Sequence, residues 1–321
     1  MTNPPYAVPR IPYLRLRLTL RAQQAATLPI YKGSMLRGAF GHALRKAVCI
    51  MEPEQACSSC LIRQTCYNTQ LFEPVYEKEL PPALADLPIL PRAYIFEPAN
   101  EARRLQEGDL LDFDLLLFGK AIDLQLYAML ASERMAVTGL GRNRVPFRLE
   151  RALSRAADGT WKVVLEDGRM RGRGTSRPTF PSQEPLGPRA TLRFLTPTRL
   201  RVEHHRIETT TFPELVAAMA RRLFEVAHFH VRDCPVDWNI EPLLAAAREV
   251  KLTGLDLHWQ DWERYNAQRK TAMNMGGFLG SVDIEGDLTP FTALLRTAEI
   301  LHIGRGTPFG LGKMEVVGTE G

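Results

Sequence analysis

The two halves of this chain close in the same way, and that constrains its fold more than any other feature. Residues 121–149 run from a helical stretch through the turn GLGRNRVPF (139–147) into a strand. Residues 290–317 do the same through IGRGTPFGLGKMEVV (303–317). Each glycine-rich loop carries a Pro-Phe pair. Such long-range self-similarity reads as an internal duplication. A length of 321 residues supplies two domains, each large enough to bury its own core.

The elements before each loop fit this reading. From Ile11 to Leu20, Leu14, Leu16, Leu18 and Leu20 alternate with Arg15, Arg17 and Thr19, the period of a half-buried strand. Met35, Leu36, Ala39, Phe40, Ala43, Leu44, Ala47 and Val48 recur at helical spacing over Ser34–Val48, with Ser34 as the expected N-cap. Strands are expected at Ala93–Glu97, Leu110–Phe118 and Trp161–Leu165, and a helix at Ala121–Met135. In the second half the same order follows: strand Thr191–Val202, helix Phe212–Val231, strands Leu252–Trp259 and Gly277–Ile284, helix Pro290–Ile300 and a last strand. Each half is β-α-β-β-α-β, so the predicted class is α+β: two tandem ferredoxin-like (RRM-like) domains with a small metal-binding insertion. The Gly-, Pro- and Arg-rich stretch 171–190 marks the boundary, giving an N-terminal domain over 1–185 and a C-terminal domain over 186–321.

Composition bears on partners. Hydrophobic residues make up 45 % and charged residues 24 %, the balance of a soluble globular chain. No apolar run reaches the roughly 18 residues of a membrane span. The start, MTNPPYAVPR, lacks a signal-peptide core, so no membrane association and a cytoplasmic location are expected. The net charge of +5 rests on 33 Arg against 8 Lys. Arginine's planar fork suits phosphates and base edges. Residues 134–177 hold ten arginines and Lys162 against four acids, a local footprint for nucleic acid.

Three stretches carry candidate chemistry. On the helix at 34–48, the polar side holds Arg37, Gly38, Gly41, His42, Arg45 and Lys46, with His42 and Lys46 one turn apart. The two glycines are expected to leave this face bare for a close backbone approach. RNA is cut without metal when its ribose 2′-hydroxyl attacks the adjacent phosphate. A histidine suits the base that takes the proton, and Lys46 or Arg45 the cation for the phosphorane. Tyr31, just ahead of the helix, is a further candidate to hydrogen-bond a phosphate oxygen. In the second stretch, Gly304, Gly306, Gly310 and Gly312 with Arg305 and Lys313 are neither a nucleotide P-loop nor a dinucleotide fingerprint, because the spacing is off and a strand follows. Backbone N–H groups there, with Arg305, are candidates to cradle phosphates, and a tight connector is the alternative. The third is ERYNAQRK (263–270), where Arg264, Tyr265, Arg269 and Lys270 combine cations with a stacking ring. Arg142 and Arg144 in the first glycine loop complete the RNA-binding set.

Four of the five cysteines fall within 18 residues: Cys49, Cys57, Cys60 and Cys66. In a cytosolic chain this clustering favours metal over disulfides. Four thiolates on a short loop suit a structural zinc, with an iron–sulfur cluster as the rival.

The stretch MNMGGFLGSVDIEGDLTPFTALLRTAEILHIGRGTPFGLGKMEVV (273–317), the preceding ERYNAQRK, and KGSMLRGAFGHALRKAVC (32–49) with the later cysteines resemble a cysteine-bearing branch of the CRISPR-associated precursor-crRNA processing endoribonucleases of the RAMP superfamily. The resemblance covers residues 35–55 and 255–317; the middle matches by architecture. It implies two ferredoxin-like domains, binding of CRISPR repeat RNA, and a metal-independent cut leaving 2′,3′-cyclic phosphate and 5′-hydroxyl ends. The position matching the family's general base is His42, with Tyr31 and Lys46 as companions by location. The alternative is a non-catalytic crRNA-binding subunit of a CRISPR effector complex, in contact with other effector subunits.

Overall fold

The computed structural model describes residues 8–52, 55–76, 79–85, 87, 89–99, 102–179, 186–200, 210–261, 263–266 and 271–318; the side chains of 177, 263–266 and 271–274 are outside the description. Two compact units emerge. One comprises Ile11–Pro178 with Phe229–Asp233, and the other contains Thr179–His228 and Cys234–Gly321.

In the first unit the elements are β1 (Pro12–Ala22), α1 (Gly33–Val48), β2 (Tyr94–Pro98), β3 (Leu110–Phe118), α2 (Gln125–Thr138), β4 (Phe147–Arg155) and β5 (Trp161–Glu166). The sheet order β2–β3–β1–β4 is the 4-1-3-2 order of a ferredoxin-like domain, extended at one edge by β5 and Arg169–Met170. The alternation in β1 gives the expected result: Leu14, Leu16, Leu18 and Leu20 are all fully buried. They share a core with Leu36, Phe40 and Leu44 of α1 and with Ala128, Met135 and Ala136 of α2. The first turn of the predicted helix at Ala121 is instead 3-10, over Gly119–Leu124. Helix α1 begins at Gly33 with buried Lys32 as its N-cap, so Ser34 does not cap it.

The other face of β1 is occupied by ion pairs. Arg15 donates to Glu97 at 3.0 Å and to Asp114 at 2.9 Å, and Arg17 donates to Asp114 at 2.8 Å. Arg21 pairs with Glu150. Part of the arginine excess therefore belongs to the sheet itself. Arg17 and Arg155 also pack on the Trp161 ring, at 4.5 and 5.2 Å from its centroid.

The second unit repeats the plan with β6 (Arg189–Thr198), α3 (Phe212–His230), β7 (Lys251–Gln260), β8 (Gly277–Glu285), α4 (Thr292–Leu301) and β9 (Met314–Gly318). Its sheet order, β7–β8–β6–β9, is again 4-1-3-2. A backbone hairpin, Glu263–Asn266 with Thr271–Asn274, is inserted between β7 and β8. Edge-to-face pairs, Phe194 with Phe278 at 4.8 Å and Phe212 with Phe291 at 5.0 Å, link the neighbouring strands β6 and β8 and the starts of α3 and α4. Among the described residues, no helix is long and apolar enough to cross a membrane.

Gly41 ties this fold to the site. A Cβ added there would lie 2.1 Å from the Phe72 ring, which stacks on Tyr94 at 5.3 Å. Gly41→Val should therefore lower stability by about 1–3 kcal/mol, measured by urea unfolding. Combining it with Phe72→Ala should cost less than the sum of the two single changes. Additive losses would mean that the ring does not need this glycine.

Candidate active site

The exposed side of α1 holds the candidate residues. His42 and Lys46 are both exposed and one turn apart, on the side away from Leu36, Phe40 and Leu44. The imidazole is thus open to solvent beside a cation, not sunk in the core.

The two helix glycines separate in role. The expectation of a bare surface at both is corrected at Gly41, which is buried beneath the Phe72 ring; its missing side chain serves packing. Gly38 is exposed, and an added Cβ there meets nothing within 4 Å.

Arg37 and Arg45 are half-buried, with partners inside the unit. Arg37 Nε donates to Tyr94 Oη at 3.0 Å, and its guanidinium lies 4.7 Å from the Phe72 ring centroid. Burial pushes the Tyr94 phenol up to about 12, against the pull of Arg37 and Arg92. Arg92 stands close by. Burial lowers its pKa, and the Arg37 charge lowers it further, so two guanidiniums crowd one place. Arg92 carries no sequence signal of its own; only the approach of β2 to α1 brings it here. Arg45 donates to the Gln55 carbonyl and so clamps the cysteine loop to the helix.

Tyr31 stands just ahead of the helix. It is half-buried, and burial, with the Glu97 charge, raises its pKa well above the ordinary phenol value. It stays protonated and can donate a hydrogen bond. However, it precedes the helix start at Gly33, and a rise of 1.5 Å per residue puts that start about 14 Å along the axis from His42.

The four cysteines come together as a group. Cys49, Cys57, Cys60 and Cys66 all line one small cavity with Arg63 and Asn68, and none forms a disulfide. Asn68 Nδ2 donates to Cys57 Sγ at 3.5 Å. Burial, followed by the Glu73 charge, raises the Cys57 thiol. Among the described residues, no three His, Cys, Asp or Glu side chains stand arranged to hold a metal ion. A metal in this cavity requires the thiols to turn inward upon it.

In the second unit the glycine loop is largely explained by its own packing. At Gly304 (φ 78°) a Cβ would meet the Arg199 carbonyl oxygen at 2.5 Å, and at Gly312 (φ 72°) the Ile303 carbonyl oxygen at 1.8 Å. The N–H groups of Arg305, Phe309, Gly310 and Gly312 donate to the carbonyls of Arg199, Gly306, Thr307 and Pro197. These four amides are bonded within the chain, as in the tight connector that the sequence also allows. Gly306 and Gly310 are likewise in the left-handed region within this turn. Arg305 is exposed and Lys313 half-buried. His302, which ends α4, is fully buried and donates from Nδ1 to the Leu311 carbonyl at 3.1 Å, so it is a tether of the loop.

In the first unit, Arg142 and Arg144 are exposed at the tip of the corresponding loop, closed by the Leu140–Val145 bridge. Exposed Arg134, Arg148, Arg151, Arg169, Arg171 and Arg173 make the basic stretch a surface property. Arg264 and Tyr265 lie on the inserted hairpin, whose side chains are outside the description, and Arg269 and Lys270 lie outside the described residues.

Known proteins match this chain in two segments. Residues 192–314 match the family model of the CRISPR-associated endoribonuclease Cas6. Residues 11–177 match the model of the AF_1859 N-terminal domain. No curated protein matches. Among solved structures, Thermus thermophilus Cas6 is similar at 16 % identity over 97 % of this chain and 100 % of that chain, with a TM-score of 0.54. A Cas6 product complex is similar at 17 % identity over 96 % and 99 %, with a TM-score of 0.53. A partial Cas6-RT-Cas1–Cas2 complex is similar at 13 % identity over 97 % of this chain and 47 % of that chain, with a TM-score of 0.57. At these identities the structures establish the shared fold. The chain therefore matches the AF_1859 N-terminal domain model over its first unit and the CRISPR-associated endoribonuclease Cas6 model over residues 192–314 of its second, and it shares the tandem ferredoxin-like fold of full-length Cas6 chains.

Proposed function

We propose that this protein cuts CRISPR precursor RNA within its repeats, without a catalytic metal, using His42 as general base. The observation that carries the reading is the exposure of His42 on α1, with Lys46 one turn away. Neutral His42 takes the proton from a ribose 2′-hydroxyl. The 2′-oxygen then attacks its own phosphorus, the P–O5′ bond breaks, and the departing oxygen takes up a proton. The products end in a 2′,3′-cyclic phosphate and a 5′-hydroxyl. Lys46 offsets charge on the crowded phosphorane. Tyr31, which stays protonated, is a hydrogen-bond donor to a phosphate oxygen. Exposed Arg142, Arg144 and Arg305 hold the strand by its phosphates. The similarity to a Cas6-RT-Cas1–Cas2 complex supports other CRISPR proteins as partners.

The second part of the proposal concerns the cysteines. Their shared cavity supports a structural zinc held by Cys49, Cys57, Cys60 and Cys66, which would draw the four thiolates together as it binds. Through the Arg45 bond to Gln55, this loop buttresses the helix that carries His42. The zinc takes no part in cleavage.

Two experiments test these readings. Repeat RNA incubated with pure protein and EDTA should be cut to cyclic-phosphate ends, and His42→Ala should bind the RNA but cut it about 10²–10⁴-fold more slowly. A cut that requires added divalent metal, or an unaffected His42→Ala variant, would overturn the mechanism. Salt-dependent binding with no cut would leave the non-catalytic crRNA-binding subunit instead. Elemental analysis should find about one zinc per chain. The Cys57→Ser/Cys60→Ser variant should lose it and melt at lower temperature. Metal-free wild-type protein, or iron with visible absorbance near 400 nm, would refute zinc.

A further inference from the structure

Gly38 has no structural reason to be glycine. Its backbone is helical, its position is exposed, and an added Cβ would meet nothing within 4 Å. A glycine inside a helix is nevertheless less stable than alanine, because it loses more backbone freedom on folding. Gly41, three residues on, is accounted for by the ring of Phe72, so the helix does not simply tolerate glycine throughout. Along the same stripe, at successive intervals of four, come Ser34, Gly38, His42 and Lys46. The bare backbone is therefore next to the imidazole, about 6 Å along the axis.

We infer that Gly38 is a seat for the sugar–phosphate backbone of the RNA. Its missing side chain sets how closely the strand lies against α1 and so how the scissile ribose meets His42. The occupant is a nucleic-acid strand because the same stripe runs on through His42 to the exposed cation Lys46, about 12 Å along the axis from Gly38, and the unit's exposed surface is rich in arginine. The cleavage part of this inference rests on His42 being the base; the binding part stands without it.

The full chain carrying Gly38→Ala or Gly38→Leu provides the test. The probe is repeat RNA with a 2′-deoxy nucleotide at the mapped cut, titrated to give Kd. Gly38→Ala should raise the melting temperature by about 2–4 °C. It should weaken RNA binding by about tenfold, and Gly38→Leu by about a hundredfold, as bulk pushes the strand away. A folded variant that melts higher yet binds worse cannot be explained by damage to the fold. Variants that bind like wild type overturn the proposal, as does a fall in melting temperature with Gly38→Ala, which would mean the position is packed. His42→Ala, measured alongside, separates the two ideas: if it cuts normally the base assignment fails, while the Kd series still decides the seat.

Discussion

The exposed face of α1 is set by what its buried face does. Phe72 lies on Gly41, stacks on Tyr94 and packs near Phe40, which meets Phe96 edge-on at 5.2 Å. A helix clamped this way has one rotational setting. With Leu36, Phe40 and Leu44 pinned against the sheet, Gly38, His42 and Lys46 must face water. Any rotation that buried the imidazole would expose these large apolar groups and drive a Cβ-less backbone off its ring. The position of His42 is thus a consequence of aromatic packing on the opposite side of the helix.

The far end of the helix is held differently. Its last turn carries Arg45, whose guanidinium reaches the Gln55 carbonyl, and the chain then runs directly into the cysteine cavity. Hydrophobic packing fixes the middle of α1, and polar contacts with a loop fix its end. His42, Lys46 and the cysteine cavity are thus joined through the backbone of one helix.

Arginine in this protein divides into groups with different roles. Arg15, Arg17 and Arg21 satisfy carboxylates across the first sheet, Arg37 braces Tyr94, and Arg155 covers Trp161. The side chains of Arg142, Arg144, Arg151 and Arg305 project to solvent. Net charge alone does not distinguish these groups, because the formal charge is the same whether a guanidinium is paired or not.

The tandem plan is legible from the chain alone. Leucines alternating through β1, the apolar stripe of α1 and the repeated glycine loops are local periodic signals, and each specifies which side of its element is buried. The exposed setting of His42 beside Lys46 follows from the same periodicity. Other facts required the folded chain. That Gly41 serves packing while Gly38 does not depends on Phe72, and Arg15 is committed to Glu97, 82 residues away. The amides of Arg305 and Gly312 in the glycine loop bond to Arg199 and Pro197, over a hundred residues earlier. By itself the sequence determined the order of the elements and the face each one buries, because burial repeats with a local period. Only the tertiary structure decided which glycine is bare, which arginine is free and which amide is already bonded, because those choices depend on partners that no local pattern encodes.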